Sequence, residues 1–265
     1  MSQESAPGGV DSEEEIPEDH PRYLDLVTRH RIEAGVKAGI THIQGMHAEG
    51  RGSAFDYLLG EETIQSADEA ERVAAADLLR AEHPVISVNG NVAALVPAET
   101  ADLAEAVDAA IEVNLFHRSP ERIKLIIEHL EKHGAENVLG LHADAEIAGL
   151  THDRAQISSE GIGRADLVLV PLEDGDRAKA LRAMGKREIV IDLNPLSRSP
   201  RAAHVPIIDN VVRAMPNITD HAHDLADADR DTLDAIVEAF DPKAAIQDAE
   251  RTIRTGGSTD RPLDP

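Results

Sequence analysis

The chain has 265 residues and 42% hydrophobic content, enough for one large α/β domain or two small ones. Fifty acidic residues face 26 basic ones (six Lys, twenty Arg), a formal net charge of −24 that argues against the basic face nucleic acid requires. With no cysteine there is no disulfide, thiolate metal site or cysteine nucleophile, and the longest apolar run, Leu167 to Leu172, is far short of the ~18 residues of a membrane span.

Residues 1–19 read as a disordered acidic tail with neither the basic nor the apolar region of a secretory signal. A single catalytic domain is expected over 20–254, with a flexible tail over 255–265. The cysteine-free composition fits a cytoplasmic protein without membrane or nucleic-acid partners. A helix is predicted over Tyr23–Ala38. The stretch Glu49 to Tyr57 (EGRGSAFDY) reads either as a close backbone approach to a ligand headed by Arg51, or as a glycine turn before a helix. Helix Ser66–Glu82, strand Pro84–Val88, helix Glu99–Ala109 and strand Ala110–Val113 follow. Ser119 as N-cap and Pro120 at the first helical position start a helix over Pro120–His133. Strands at Asn137–Leu141 and Asp166–Val170, helix Arg177–Met184, strands Glu188–Asp192 and His204–Ile208, and helices Asp209–Met215 and Arg230–Phe240 complete the series. Nearly all-apolar strands alternating with amphipathic helices predict an α/β fold, a mostly parallel sheet with helices on both faces.

In such sheets ligands bind beyond the carboxyl ends of the strands. Those ends carry Asn89-Gly90-Asn91, then Asn114 to Arg118, then Glu173-Asp174-Gly175-Asp176-Arg177, then Asp192 to Ser199, and finally Asp209-Asn210. Asn, Asp and Ser can read ribose hydroxyls and base edges, and Arg118, Arg177, Arg198 and Arg201 can clamp phosphate or carboxylate. Four of the five aromatic residues, Tyr23, Phe55, Tyr57 and Phe116, fall in or beside these segments, shaping a pocket; core packing is the rival reading for Phe116. There is no P-loop. Gly161-Ile162-Gly163 precedes a strand and is assigned to a turn. His221-Ala222-His223-Asp224 reads as a helix segment in preference to a metal site. The acids are spread along the whole chain, as in proteins that stay soluble in concentrated salt: at ~1 M the Debye length is about 3 Å and the self-repulsion is screened.

Over HPRY (20–23), Arg29, EGRGSAFDYLLGE (49–61), HPVISVNGNVAALVP (83–97), EVNLFHR (112–118), ADLVLVPLEDGDR (165–177) and IDLNPLSRSPRAAHVPIIDNVVRA (191–214) the chain closely resembles the archaeal-type 4-phosphopantoate–β-alanine ligases, or phosphopantothenate synthetases. The resemblance implies a Rossmann-like fold, a homodimer, and ATP-dependent formation of 4′-phosphopantothenate through an acyl-adenylate, with Mg²⁺ on the phosphates. It implies ATP contacts at Arg29, Arg51, Asp192, Leu193, Asn194, Arg198, Ser199, Asn210 and Val211. Position at the strand ends adds Asn89, Asn91, Asn114 and Arg118 for phosphopantoate or the adenylate. It also adds Glu173, Asp174 and Asp176 for the metal or the amine. Two positions depart from the family pattern: Glu49 stands where His is expected, and Pro200 where a small residue is expected.

Overall fold

The computed structural model describes residues 16–17, 19–20, 22–172 and 175–256. Three helices precede the first strand: α1 (Tyr23–Lys37), α2 (Ile43–Leu59) and α3 (Gln65–Arg80). The glycine-flanked Arg51 is therefore neither in a loop nor in a turn before a helix. It lies in the middle of α2, capped by the His42 ring and ended by Gly60 at φ 100°. On α3, Ala70, Val73, Ala74 and Leu78 recur at helical spacing and are buried.

The chain then runs β1 (Pro84–Val88), α4 (Gly90–Leu95), α5 (Pro97–Ala106), β2 (Ala110–Val113) and α6 (Pro120–Lys132). Ser119 caps α6 as expected, accepting from Arg122 N at 3.2 Å, and Ile123, Ile126 and Leu130 form its buried stripe. A two-stranded antiparallel ribbon, β3 (Ala145–Glu146) with β4 (Gln156–Ile157), leads into a π-turn at Ser159–Gly163. The Gly161-Ile162-Gly163 turn wraps the Glu112 carboxylate, which accepts from Ser158 N (3.0 Å) and Ile162 N (2.7 Å).

The remaining elements are β5 (Leu167–Pro171), α7 (Gly175–Ala183), β6 (Arg187–Ile191), α8 (Arg198–Ala202), β7 (Val205–Ile207), α9 (Val211–Asp224), α10 (Arg230–Glu238) and α11 (Pro242–Thr255). The five long strands form one all-parallel sheet in the order β2-β1-β5-β6-β7, with Val85 opposite Ala110 and Leu167 opposite Arg187. This is the Rossmann-like α/β architecture. Its strands are buried almost throughout, because helices cover both faces. Pro206 sits in β7, at a sheet edge, where its missing N–H costs no ladder bond.

Two expectations are corrected. Asn137–Leu141 is not a strand: only Leu139 pairs, as a single bridge to Glu112, because Asn137 (φ 50°) and Gly140 (φ 119°) turn the backbone left-handed on either side. The helix predicted to stop at Met215 continues through Pro216 to Asp224. Ile218 and Ala222 extend the buried stripe, and that packing outweighs the proline's lost hydrogen bond. The His221–Asp224 stretch is the last turn of this helix, with His221 Nε2 3.0 Å from Asp68. No described helix is long and apolar enough to cross a membrane.

Candidate active site

The chain leaves β1 toward β2 and returns on the other side of β1 as β5, so the sheet reverses order between β1 and β5. Ligands bind at such a switch point. Asn89 spans it: its Nδ2 donates to Pro171 O at 3.1 Å, while its Oδ1 caps α4 by accepting from Asn91 N (2.9 Å) and Val92 N (3.1 Å). Buried Asn91 donates to Gly45 O at 2.8 Å and so seats α2 on α4. A Cβ at position 45 would lie 2.3 Å from Asn91 Oδ1. Beyond Pro171, Leu172 holds a left-handed φ of 59°, a strained conformation for a side-chain-bearing residue.

Two cavities open above these strand ends and share Ala48, Arg51 and Leu172. The first, about 400 Å³, is lined by α2, the β6 end and α8, with Arg51, Asp192, Leu193, Asn194, Arg198 and Ser199 on its walls. Asp192 accepts from Asn194 N at 2.9 Å and from Ser197 Oγ at 2.6 Å. Burial pushes its carboxyl above the ordinary range, against the lowering by those hydrogen bonds and by Arg51. Arg198 pairs with Asp176 at 3.1 Å. Arg51 has no hydrogen bond or ion pair among the described residues.

The second cavity, about 300 Å³, lies over β1 and β2. Arg51, Arg122, Arg154, His42 and His117 line it, and no acid does among the described residues. Arg122 donates only to carbonyls, Ile40 (2.8 and 3.1 Å) and His117 (3.0 Å), so no carboxylate neutralises it among the described residues. Desolvation lowers its pKa. His42 and His117 lie ring to ring at 4.6 Å, and desolvation, then His117 and Arg122, depress His42. His117 Nε2 is 2.7 Å from Gln44 Oε1, and Phe116 meets His117 edge-on and stacks on His152.

Asn114 is fully buried. Its amide donates to the carbonyls of Arg154 (3.3 Å) and Gln156 (3.0 Å), and its Oδ1 accepts from Arg154 Nε at 3.2 Å. It therefore aims Arg154 at the cavity. Arg118 turns away to the carbonyls of Gly140 and Leu141. Arg177 is buried beside β1, donating to Ser87 Oγ at 3.2 Å. Arg29, on α1, pairs with Asp25 at 2.9 Å and lines neither cavity. Glu173 and Asp174 lie outside the described residues. Glu49 accepts from Ser53 Oγ at 2.8 Å, and burial raises its pKa.

Behind the first cavity, Asn210 caps α9 and donates to Asp56 Oδ2 at 2.7 Å, and Val211 is buried as the first residue of that helix. Arg213 bridges Asp56 on α2 to Asp209, which also accepts from Thr63 Oγ1 at 2.6 Å. These bonds fix α2, and with it Arg51, against the start of α9. Both carboxylates hold the Arg213 pKa above its ordinary value against desolvation. Nearby Glu71 accepts from Asn217 Nδ2 at 2.9 Å. Desolvation first, then Asp209, push the Glu71 carboxyl up to about 9.

His42, Gln44, Arg122 and Arg154 are site residues that strand-end reasoning does not reach. Arg122, four residues beyond Arg118 and in the first turn of α6, was available as a signal; Arg154 is brought in only by long-range folding. The chain is 52% identical over 235 residues to the 4-phosphopantoate–beta-alanine ligase of Methanosarcina mazei, covering 89% of this chain and 92% of that one. It is 50% identical over 240 residues to the enzyme of that name from Thermococcus kodakarensis (90% and 92% covered). It is 50% identical over 239 residues to that of Methanospirillum hungatei (90% and 96%). Residues 66–256 match the family described as Phosphopantothenate/pantothenate synthetase, and the chain belongs to that family.

Proposed function

We propose that this chain is an ATP-dependent ligase that condenses 4-phosphopantoate with β-alanine to 4′-phosphopantothenate, a step toward coenzyme A. The observation that carries the reading is the pair of cavities meeting at Arg51, one of them cationic and lined by no acid among the described residues, in a chain with almost twice as many acids as bases. Phosphopantoate brings a phosphate and a carboxylate and takes the cationic cavity, against Arg122, Arg154, Asn89 and Asn91. ATP takes the other, against Asp192, Leu193, Asn194, Arg198 and Ser199. Arg29, Asn210 and Val211 complete the ATP set on family resemblance. Asn114 and Arg118 act at one remove, Asn114 through Arg154.

The carboxylate oxygen attacks the α-phosphorus of ATP; the new C–O–P link forms as the α–β bridging bond breaks and pyrophosphate leaves. Arg51, at the seam, offsets charge developing on the phosphoryl oxygens. The neutral β-alanine amine then attacks the acyl carbon. The C–N bond forms, AMP departs with the C–O bond pair, and the amine loses its proton. We assign the amine side to Asp176, which pairs with Arg198 at the nucleotide-side cavity. Holding both substrates at one seam supplies much of the acceleration. With ATP, 4-phosphopantoate and β-alanine in concentrated KCl, AMP should appear in step with 4′-phosphopantothenate; ADP and phosphate in their place would remove the reading.

Mg²⁺ fits this site as a passenger on the nucleotide. The described residues hold no group of three His, Asp or Glu for a metal cage, and Mg²⁺ ordinarily needs one or two carboxylates besides substrate phosphates. Among the described residues, Asp192 lines the nucleotide side and would hold it, and the ion would neutralise phosphate charge. The homodimer face we assign to α2, where Ile43, Met46, Tyr57 and Leu58 are exposed and a Cβ at Gly50 would meet nothing within 4 Å. Tyr57→Glu should shift sedimentation from dimer to monomer, and an unchanged dimer would move the interface elsewhere. The net charge of −24 supports a cytoplasm rich in salt. Stability should rise with KCl into the molar range, and equal stability in dilute buffer would defeat that reading.

A further inference from the structure

A cavity of about 970 Å³, larger than either strand-end cavity, opens at the opposite edge of the sheet, where β6 and β7 begin. Arg80, Arg182, Arg187, Arg201, Lys243 and His204 line it, which gathers five of the chain's 26 Lys and Arg residues in one place. Two of them are fixed: buried Asp77 binds Arg80 Nε at 2.8 Å and Arg187 Nη2 at 2.7 Å. Arg182 and Lys243 keep their charge available. Arg182 donates only to the Ala202 carbonyl, at 3.1 Å, and Lys243 Nζ has no hydrogen bond or ion pair among the described residues. Arg201 pairs with Glu250 at 3.6 Å. Of the acids at the rim, Asp241 is spent on the backbone N–H groups of Lys243 (2.9 Å) and Ala244 (3.2 Å), leaving Glu238 and Glu250. Desolvation, then Arg187 and Arg182, depress the pKa of His204, in keeping with a positive field.

Apolar side chains share the lining: Val205, Val237, Ile246 and Phe240, the one phenylalanine that lines neither strand-end cavity. Guanidinium and ammonium groups beside apolar side chains suit a phosphate monoester with an apolar or aromatic arm. The five-residue α8 joins the two ends of the sheet. Its Arg198 and Ser199 line the nucleotide-side cavity, and its Pro200 and Arg201 line this one.

We propose that this cavity is a second ligand site, taking a small phosphate monoester with an apolar arm, and that α8 links its occupancy to the nucleotide-side cavity. The linkage, unlike the binding, rests on the reading of that cavity as the ATP site. Coupled sites must alter each other's affinity by the same factor.

The probe is phenyl phosphate, titrated calorimetrically into the full chain at the lowest KCl that keeps it folded. In Arg51→Ala, whose change lies at the strand-end seam, a site of one per chain should remain. Combining that change with Arg182→Ala and Lys243→Ala should weaken this site at least tenfold, with circular dichroism and Tm unchanged. No binding to Arg51→Ala, or equal affinity with and without Arg182 and Lys243, would overturn the site. For the linkage, saturating phenyl phosphate should change the Kd of ATP by a factor at least threefold different between wild type and Arg182→Ala/Lys243→Ala. Equal factors in the two proteins would overturn the linkage and leave the activity reading untouched. Direct competition at the ATP site acts on both proteins and cancels.

Discussion

Replacing Arg213 by Ala tests whether α2 is held to the active-site end by charge. In the folded protein Arg213 donates to Asp56 through Nη1 (3.2 Å) and Nη2, and to Asp209 through Nε (3.0 Å). Asp56 is 7% exposed and Asp209 1%, so truncation leaves two buried carboxylates facing each other with no cation between them. Removing one partner of a buried pair costs about 3–5 kcal/mol. The remaining bonds, from Asn210 to Asp56 and from Thr63 to Asp209, temper this without cancelling the repulsion. Asp56→Asn should cost less, about 1.5–3 kcal/mol, because it leaves Arg213 paired with Asp209. Urea denaturation at fixed KCl, followed by circular dichroism, reads both values. A loss below about 1 kcal/mol for Arg213→Ala would show that the triad does not hold α2 in place.

Arg122→Ala removes a cation from the cationic cavity and should raise the KM for phosphopantoate by more than tenfold while leaving that for ATP within about twofold; initial rates check this. Glu71, protonated in the folded protein up to about 9 but ordinarily ionised above its usual range when unfolded, contributes stability that is full at acid pH and is lost as pH rises toward 9. Glu71→Gln should flatten that decline, so denaturation at pH 5 and pH 8.5 should show the variant gaining on wild type at the higher pH. Gly45→Ala puts a methyl 2.3 Å from Asn91 Oδ1 and should lower both Tm and kcat/KM, since α2 must lift from α4.

Much of the fold was legible because period and composition agree locally. The strands Pro84–Val88 and Ala110–Val113 fall where their apolar runs end, and Ser119-Pro120 starts α6 where the capping chemistry says. What misled was backbone conformation set by distant partners. Gly50 and Gly52 look like a loop, yet they sit in a helix closed by His42 and Gly60. Asn137–Leu141 has strand composition, but left-handed residues at both ends leave a single bridge. At the site, the Asp192–Ser199 loop and Arg51 were readable from type and position, and they do line one cavity. The cationic cavity was not readable: Arg154 reaches it through Asn114, 40 residues earlier, and no local pattern encodes that contact.

The account stands most directly on ATP–pyrophosphate exchange measured without β-alanine. If the two cavities meeting at Arg51 hold ATP and phosphopantoate for adenylate formation, labelled pyrophosphate should enter ATP only when phosphopantoate is present. Arg51→Ala should slow that exchange by roughly 30- to 1,000-fold, the cost of about 2–4 kcal/mol for a lost charge-stabilising group. Exchange that needs β-alanine, or that runs at wild-type rate without Arg51, would contradict the account.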